Sequence, residues 1–187
     1  MKDKEYIQSL QNSVAFTSDE AAYKHLFYYF HPLLKRFAYN IHSDIEVADE
    51  VVSDVLLKIW IMRQQLAHIA DLKLYLFKAT KNAVLNYLNS AAYRKKLITD
   101  EMLPGYDISE APEAAYAYTE MQQLILKAIQ ELPPKCQMVF RLVKEYGLSY
   151  RQISEVMEIS QNTIETHMRL ALKKLKQVID SYLTAGK

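Results

Sequence analysis

Only three glycines occur in 187 residues. They are set against long stretches where apolar side chains recur at three- and four-residue intervals. That periodicity is the signature of helices with one buried face, and a chain so poor in glycine has few of the tight turns that join strands. The fold class expected is all-α. Half of the residues are hydrophobic and 24% are charged, which is enough apolar surface for a buried core inside a charged exterior. No apolar run reaches the length of a membrane span, and "MKDKEYIQSLQNS" lacks the apolar region of a secretory signal. One cysteine, Cys136, rules out an internal disulfide framework and suits a reducing cytosol, so a cytoplasmic location and no direct membrane binding are expected.

Net charge is only +1, but its distribution is uneven. Asp71 to Ile98 carries six Lys/Arg against one acid, Thr99 to Glu120 six acids and no Lys or Arg, and Arg141 to Val178 seven bases against four acids. Two basic segments around an acidic one invite a charged partner. The acidic segment "TDEMLPGYDISEAPEAAY" has two prolines, one glycine and no sustained period. It reads as a flexible linker over 97–117, joining small helical domains at 10–96 and 118–183. Each domain is small enough to be marginal alone.

In the first half, "TSDE" (Thr17 to Glu20) has capping-box spacing ahead of "AAYKHLFYYFHPLLKRFAYNI", where Pro32 should kink or restart the helix. "SDIE" (Ser43 to Glu46) repeats the spacing. In the helix that follows, Val51, Val52, Val55, Leu56 and Ile59 line one face, while Asp49, Glu50, Ser53, Asp54 and Lys58 stand outward. A third helix, about Asp71 to Ser90, should bury Leu72, Leu76, Ala79 and Ala83. Lys78, Asn82, Asn86 and Asn89 then form a polar face with Lys81 alongside. Amides can bond base edges, and lysines neutralise phosphate.

In the second half, Pro133 and Pro134 end the helix around "TEMQQLILKAIQEL" and start "KCQMVFRLVKEY", which should stop at Gly147. Ser149 and Gln152 form a capping box. Only "EIS" then separates two helices, and so short a connection forces a sharp angle: the layout of a helix-turn-helix. Ile153, Val156 and Met157 face the core with Ile164, Met168, Ala171, Leu175 and Ile179. Ser160, Gln161, Asn162, Thr163, Thr166 and His167 offer groove-reading groups near the N-terminus of the second helix, and Arg169 and Lys173 can reach phosphate. Glu158 stands where such turns favour glycine. Glu165 either accepts from a cytosine amino group or repels phosphate. The same pattern fits an antiparallel helix pair with a solvated outer face.

Four segments in order then carry a family resemblance over residues 10–180. "YYFHPLLKRFAYNI", "ADEVVSDVLLKIW", "LYLFKATKNAVLNYL" and "LPPKCQMVFRLVKEYGLSYRQISEVMEISQNTIETHMRLALKKL" resemble bacterial sigma-70-type factors of the extracytoplasmic-function group. The resemblance implies an alternative sigma factor that binds core RNA polymerase and directs it to promoters. It makes Asp49, Glu50, Ser53, Asp54 and Lys58 the docking face for the β′ clamp. Arg63, Gln64, Gln65 and His68, in a connection that receives a flipped base in the family, join Lys73, Lys78, Lys81, Asn82 and Asn86 in reading the −10 element. Ser160 through Thr163, Glu165, Thr166, His167, Arg169 and Lys173 read the −35 element. Ser53 stands where the clamp helix often has glutamine, and Thr80 and Lys81 replace small or apolar residues of the −10 helix. Partners implied are core polymerase (β′ clamp and β flap), promoter DNA and an anti-sigma factor, often membrane-anchored. Two weak sites joined by a linker gain through effective concentration.

An enzyme is the first rival, but no glycine-rich phosphate loop is present, Cys136 has no histidine near it in sequence, and His25, His31, His42, His68 and His167 lack metal-ligand spacing. No cofactor and no metal are expected. A dimeric repressor reading a palindrome without polymerase is the second rival.

Overall fold

A computed structural model describes residues 2–90 and 120–185, and all regular structure among them is helical. The described residues fall into two compact units, 2–90 and 120–185. The stretch read as a linker, 97–117, lies outside the described residues.

The first unit holds α1 (Lys2–Thr17), α2 (Glu20–Ile41), α3 (Ile45–Ile61), a 3-10 turn (Arg63–His68) and α4 (Leu72–Leu88). α2, α3 and α4 pack on one another, and α1 lies against α2 and the 3-10 turn. The core is built on Phe30, Leu34 and Phe37 of α2, Val52, Leu56 and Ile59 of α3, and Leu76 and Phe77 of α4. The Phe37 and Phe77 rings meet at 4.9 Å with a 53° tilt. Burying a side chain of this size is worth about 2–3 kcal/mol, so this pair is a main tie between α2 and α4.

Two capping expectations shift. Asp19, not Thr17, caps α2, accepting from Ala22 N at 3.0 Å. Thr17 instead ends α1, its hydroxyl donating to Ser13 O. Likewise Asp44, not Ser43, caps α3, accepting from Glu46 N and Val47 N. In each case a carboxylate one or two residues beyond the hydroxyl is the better acceptor, and its charge suits the positive end of the helix. Pro32 neither ends nor restarts α2, which runs unbroken from Glu20 to Ile41. Pro32 and Tyr28 are both exposed, so the Tyr28 carbonyl that loses its helical donor is on the wet side of the helix.

α4 is rotated from the expected seam. Leu72, Leu76, Phe77, Thr80 and Val84 are buried, whereas Ala79 and Ala83 sit at the half-buried edge. Phe77 has the largest area to bury and sets the rotation, carrying Thr80 inside. Thr80 is fully buried and its hydroxyl has no hydrogen-bond partner. A buried unpaired hydroxyl costs about 1–3 kcal/mol. Thr80→Val, of similar shape, is expected to raise stability by about 1 kcal/mol in chemical denaturation of the full chain.

The second unit holds α5 (Glu120–Gln130), α6 (Pro134–Lys144), α7 (Tyr150–Met157) and α8 (Gln161–Ala185). Pro134 opens α6 as expected. α6 ends at Lys144 rather than at Gly147, which follows as the left-handed residue of the turn with φ 61°. The Ser149–Gln152 capping box forms in both directions. Ile153, Val156, Ile164, Met168 and Ala171 pack with Val139 and Leu142 of α6, while Met157, Leu175 and Ile179 are only half-buried. Lys174 of α8 pairs with Glu131 beyond the end of α5 at 3.0 Å, and this contact holds the Glu131 carboxyl below its usual range.

Candidate nucleic-acid and polymerase interfaces

On α3 the apolar seam faces the core, and Glu50, Asp54 and Lys58 are exposed. Ser53 is half-buried. Asp49 is tied within its own unit: Lys35 bonds its carboxylate and His31 approaches to 3.6 Å. The Lys35 ammonium holds the Asp49 carboxyl below its usual range, although partial burial opposes this. Sequence reasoning missed Leu57 and Ile61, which are 52% and 68% exposed. They share a face with Glu50 and Asp54 at helical spacing. The available signal was the run "VVSDVLLKIWI", which has more apolar residues than one buried stripe can use.

The 3-10 turn that follows leaves Gln64, Gln65 and His68 exposed. Arg63 is anchored instead. Its Nε donates to Ser18 Oγ at 3.0 Å, its Nη1 to the Trp60 carbonyl at 3.3 Å, and its guanidinium lies 5.1 Å from the Trp60 ring centroid. Asp71 caps α4 through Leu74 N. Along α4, Lys78, Asn82 and Asn86 are exposed, and Asn89 ends the same row as the helix C-cap. Lys73 and Lys81 are half-buried at its edges. Ala70, Asp71, Leu74, Tyr75, Lys78, Ala79 and Asn82 line an open hollow on this surface. Tyr75, which was not singled out from sequence, brings an aromatic wall beside a cation and an amide, its hydroxyl donating to Met62 Sδ at 3.4 Å. The turn and α4 thus present contiguous amide, imidazole, aromatic and ammonium groups, the chemistry that holds an unstacked base and its phosphate.

In the second unit, Glu158 takes the left-handed conformation between α7 and α8, φ 57° and ψ 42°, which sets the sharp angle of the helix pair. Ile159 is held by its carbonyl accepting from Ser154 Oγ at 2.7 Å. Ser160 serves the start of α8: its hydroxyl accepts from Thr163 N at 3.1 Å and meets Thr163 Oγ1 at 2.8 Å. Gln161, Asn162, Thr163, Glu165, Arg169 and Lys173 are exposed on α8. Thr166 is half-buried, and its hydroxyl donates back to Asn162 O. His167 is half-buried, with Nδ1 out of solvent and unpaired and its backbone carbonyl accepting from Cys136 Sγ at 3.1 Å. The outward row Asn162, Thr166, Arg169, Lys173 therefore lies opposite the Ile164, Met168, Ala171 seam. Among the described residues no cluster of His, Cys, Asp and Glu has the arrangement to hold a metal, and no helix is long and apolar enough to cross a membrane.

The first unit thus presents an exposed acidic and apolar face on α3 and a polar row on α4, and the second a helix-turn-helix. Residues 26–93 match the sigma-70 region 2 family and residues 122–175 the sigma-70 region 4 family. The chain belongs to the sigma-70 family, a non-enzymatic family. It is an alternative sigma factor of the extracytoplasmic-function type and acts in transcription initiation. It is 27% identical over 177 residues to the ECF RNA polymerase sigma factor RpoE of Cereibacter sphaeroides, covering 90% of this chain and 92% of that one. It is 25% identical over 152 residues to the RNA polymerase sigma factor SigZ of Bacillus subtilis, covering 81% and 83%. Among solved structures it resembles the sigma factor RpoE in complex with the anti-sigma factor NepR from Bartonella quintana, with a TM-score of 0.59, 21% identity, and coverage of 84% of this chain and 96% of that one.

Proposed function

We propose that the exposed face of α3, with Glu50, Asp54, Leu57, Lys58 and Ile61, docks on the β′ clamp of core RNA polymerase, and that the second unit meets the β flap. The 3-10 turn and the Lys78, Asn82, Asn86 row of α4 read the −10 element. The N-terminal turns of α8 read the −35 element, with 97–117 acting as a flexible linker that lets both units engage at once. Asp49 and Arg63 contribute by bracing these surfaces rather than by touching a partner first, because both are already bonded within the unit.

The observation that carries the DNA assignment is the division of labour along α8. Its apolar residues fill the core, while Gln161, Asn162, Glu165, Arg169 and Lys173 remain exposed. A helix-turn-helix presents that end to the major groove, where amides can reach base edges while arginine and lysine further along meet phosphate. The work is cytoplasmic, where polymerase and promoter DNA are found. An anti-sigma factor is a further partner, a reading supported by the solved structure of a similar sigma factor bound to one.

Reconstitution with core polymerase, followed by sequencing of the selected promoters, tests the assignment. In that complex Arg169→Ala is expected to weaken binding evenly across −35 sequences and to lower the salt slope by about one. Gln161→Ala is expected to relax preference at one or two positions, by about 1–3 kcal/mol on the preferred base. If the free chain binds a palindrome as tightly as the complex binds promoters, the −35 assignment fails.

A further inference from the structure

α1 lies ahead of the region 2 match, which begins at residue 26. Yet it makes a buried polar contact with the 3-10 turn. Gln11, at 1% exposure, donates from Nε2 to the carbonyl of Leu66 at 2.6 Å and to that of Ile69 at 2.7 Å. These two carbonyls belong to the end of the 3-10 turn and its exit toward α4. The Ile69 N–H also bonds Leu66 O at 3.0 Å, which closes the turn. One amide nitrogen carrying two hydrogens is well suited to two converging carbonyls, whereas a carboxylate would repel them and an aliphatic chain would leave them without that donor. The start of the turn is held from the same side, by Arg63 Nε on Ser18 Oγ at the α1–α2 junction. Leu66, fully buried, points inward between these two anchors, and Gln64, Gln65 and His68 point out.

We infer that Gln11 is a positioning residue for promoter discrimination: it fixes the backbone from which Gln64, Gln65 and His68 project, and so sets how sharply the turn distinguishes one base from another. The inference rests on the proposed −10 role of the turn. Discrimination by side chains on a short turn depends on their being held before the base arrives, since a loose turn can adapt to a wrong base as readily as to a right one. A hydrogen bond spanning 55 residues of sequence supplies that hold from outside the turn.

The test uses the full chain with core polymerase. Gln11→Leu and Gln11→Glu remove the paired donors, and Leu34→Ala, a change in the buried core of α2, serves as a control for general destabilisation. Three quantities are read: affinity for core polymerase, transcription from promoters changed base by base through the −10 element, and hydrogen exchange of the amides from Gln65 to Ile69 in the free chain. Both Gln11 variants are expected to lose about tenfold in preference at the base read by the turn, to keep core affinity within about twofold, and to exchange the Ile69 amide faster. Leu34→Ala should keep the preference. If Gln11→Leu fails to fold, Gln11→Asn, which keeps the amide but shortens its reach, should give the same pattern in weaker form. Preference retained in the Gln11 variants while the turn amides loosen would overturn the inference, as would an equal loss in Leu34→Ala. If Gln64→Ala and His68→Ala leave every −10 preference unchanged, the −10 role of the turn itself is what fails.

Discussion

Asp54→Lys is expected to cut affinity for core RNA polymerase about a hundredfold, an effect of roughly 3 kcal/mol if a like charge is forced against a basic clamp surface. The fold should be spared. Asp54 is exposed on α3, and the seam that holds the helix is made by Val51, Val52, Val55, Leu56 and Ile59. A new lysine one turn from Lys58 costs only about 0.2–0.5 kcal/mol within the helix. Co-purification with core polymerase, beside thermal melting of the free chain, separates the two. Unchanged co-purification removes α3 from the docking surface. Asp49 is a poorer target for this purpose, because its carboxylate is bonded to Lys35 and its reversal disturbs the α2–α3 contact as well.

The second large effect is expected at Asn82. It is exposed on α4, beside Lys78 and at the rim of the hollow walled by Tyr75, so its truncation leaves no hole in the core. Asn82→Ala should lower transcription from a duplex promoter by about ten- to a hundredfold, the worth of a good base contact, with little change in polymerase binding. On a premelted template much of that loss should be recovered, since the cost of opening the strands has been met in advance. Equal loss on both templates would show that Asn82 does not act at strand opening.

Helix identity and the two polar rows were legible because they rest on local periodicity. α3 and α8 each bury one stripe and expose another, and the structure keeps Asp54, Asn82 and Arg169 outside as their spacing indicates. What was illegible depended on partners far away in sequence. α1 has Gln11 on the same buried seam as Val14 and Ala15, and a glutamine there breaks the apolar pattern. Its place becomes clear only once Leu66 and Ile69 are brought to it. The caps of α2 and α3 moved because residues one or two positions on offered competing acceptors, and spacing alone cannot rank Thr17 against Asp19 or Ser43 against Asp44. His167 lies on the shoulder of α8, where spacing assigns it to neither face, and it is half-buried there with Nδ1 out of solvent.

The thiol that donates to the backbone of α8 has a chemical consequence. Cys136 is 1% exposed, and burial pushes its ionisation above the ordinary thiol range. Peroxides and disulfides react with the thiolate, so a sulfur kept protonated and out of solvent is a poor target. The chain's single cysteine is therefore a poor target for oxidants. A shift in cellular redox balance would have to reach this factor by a route other than its one thiol.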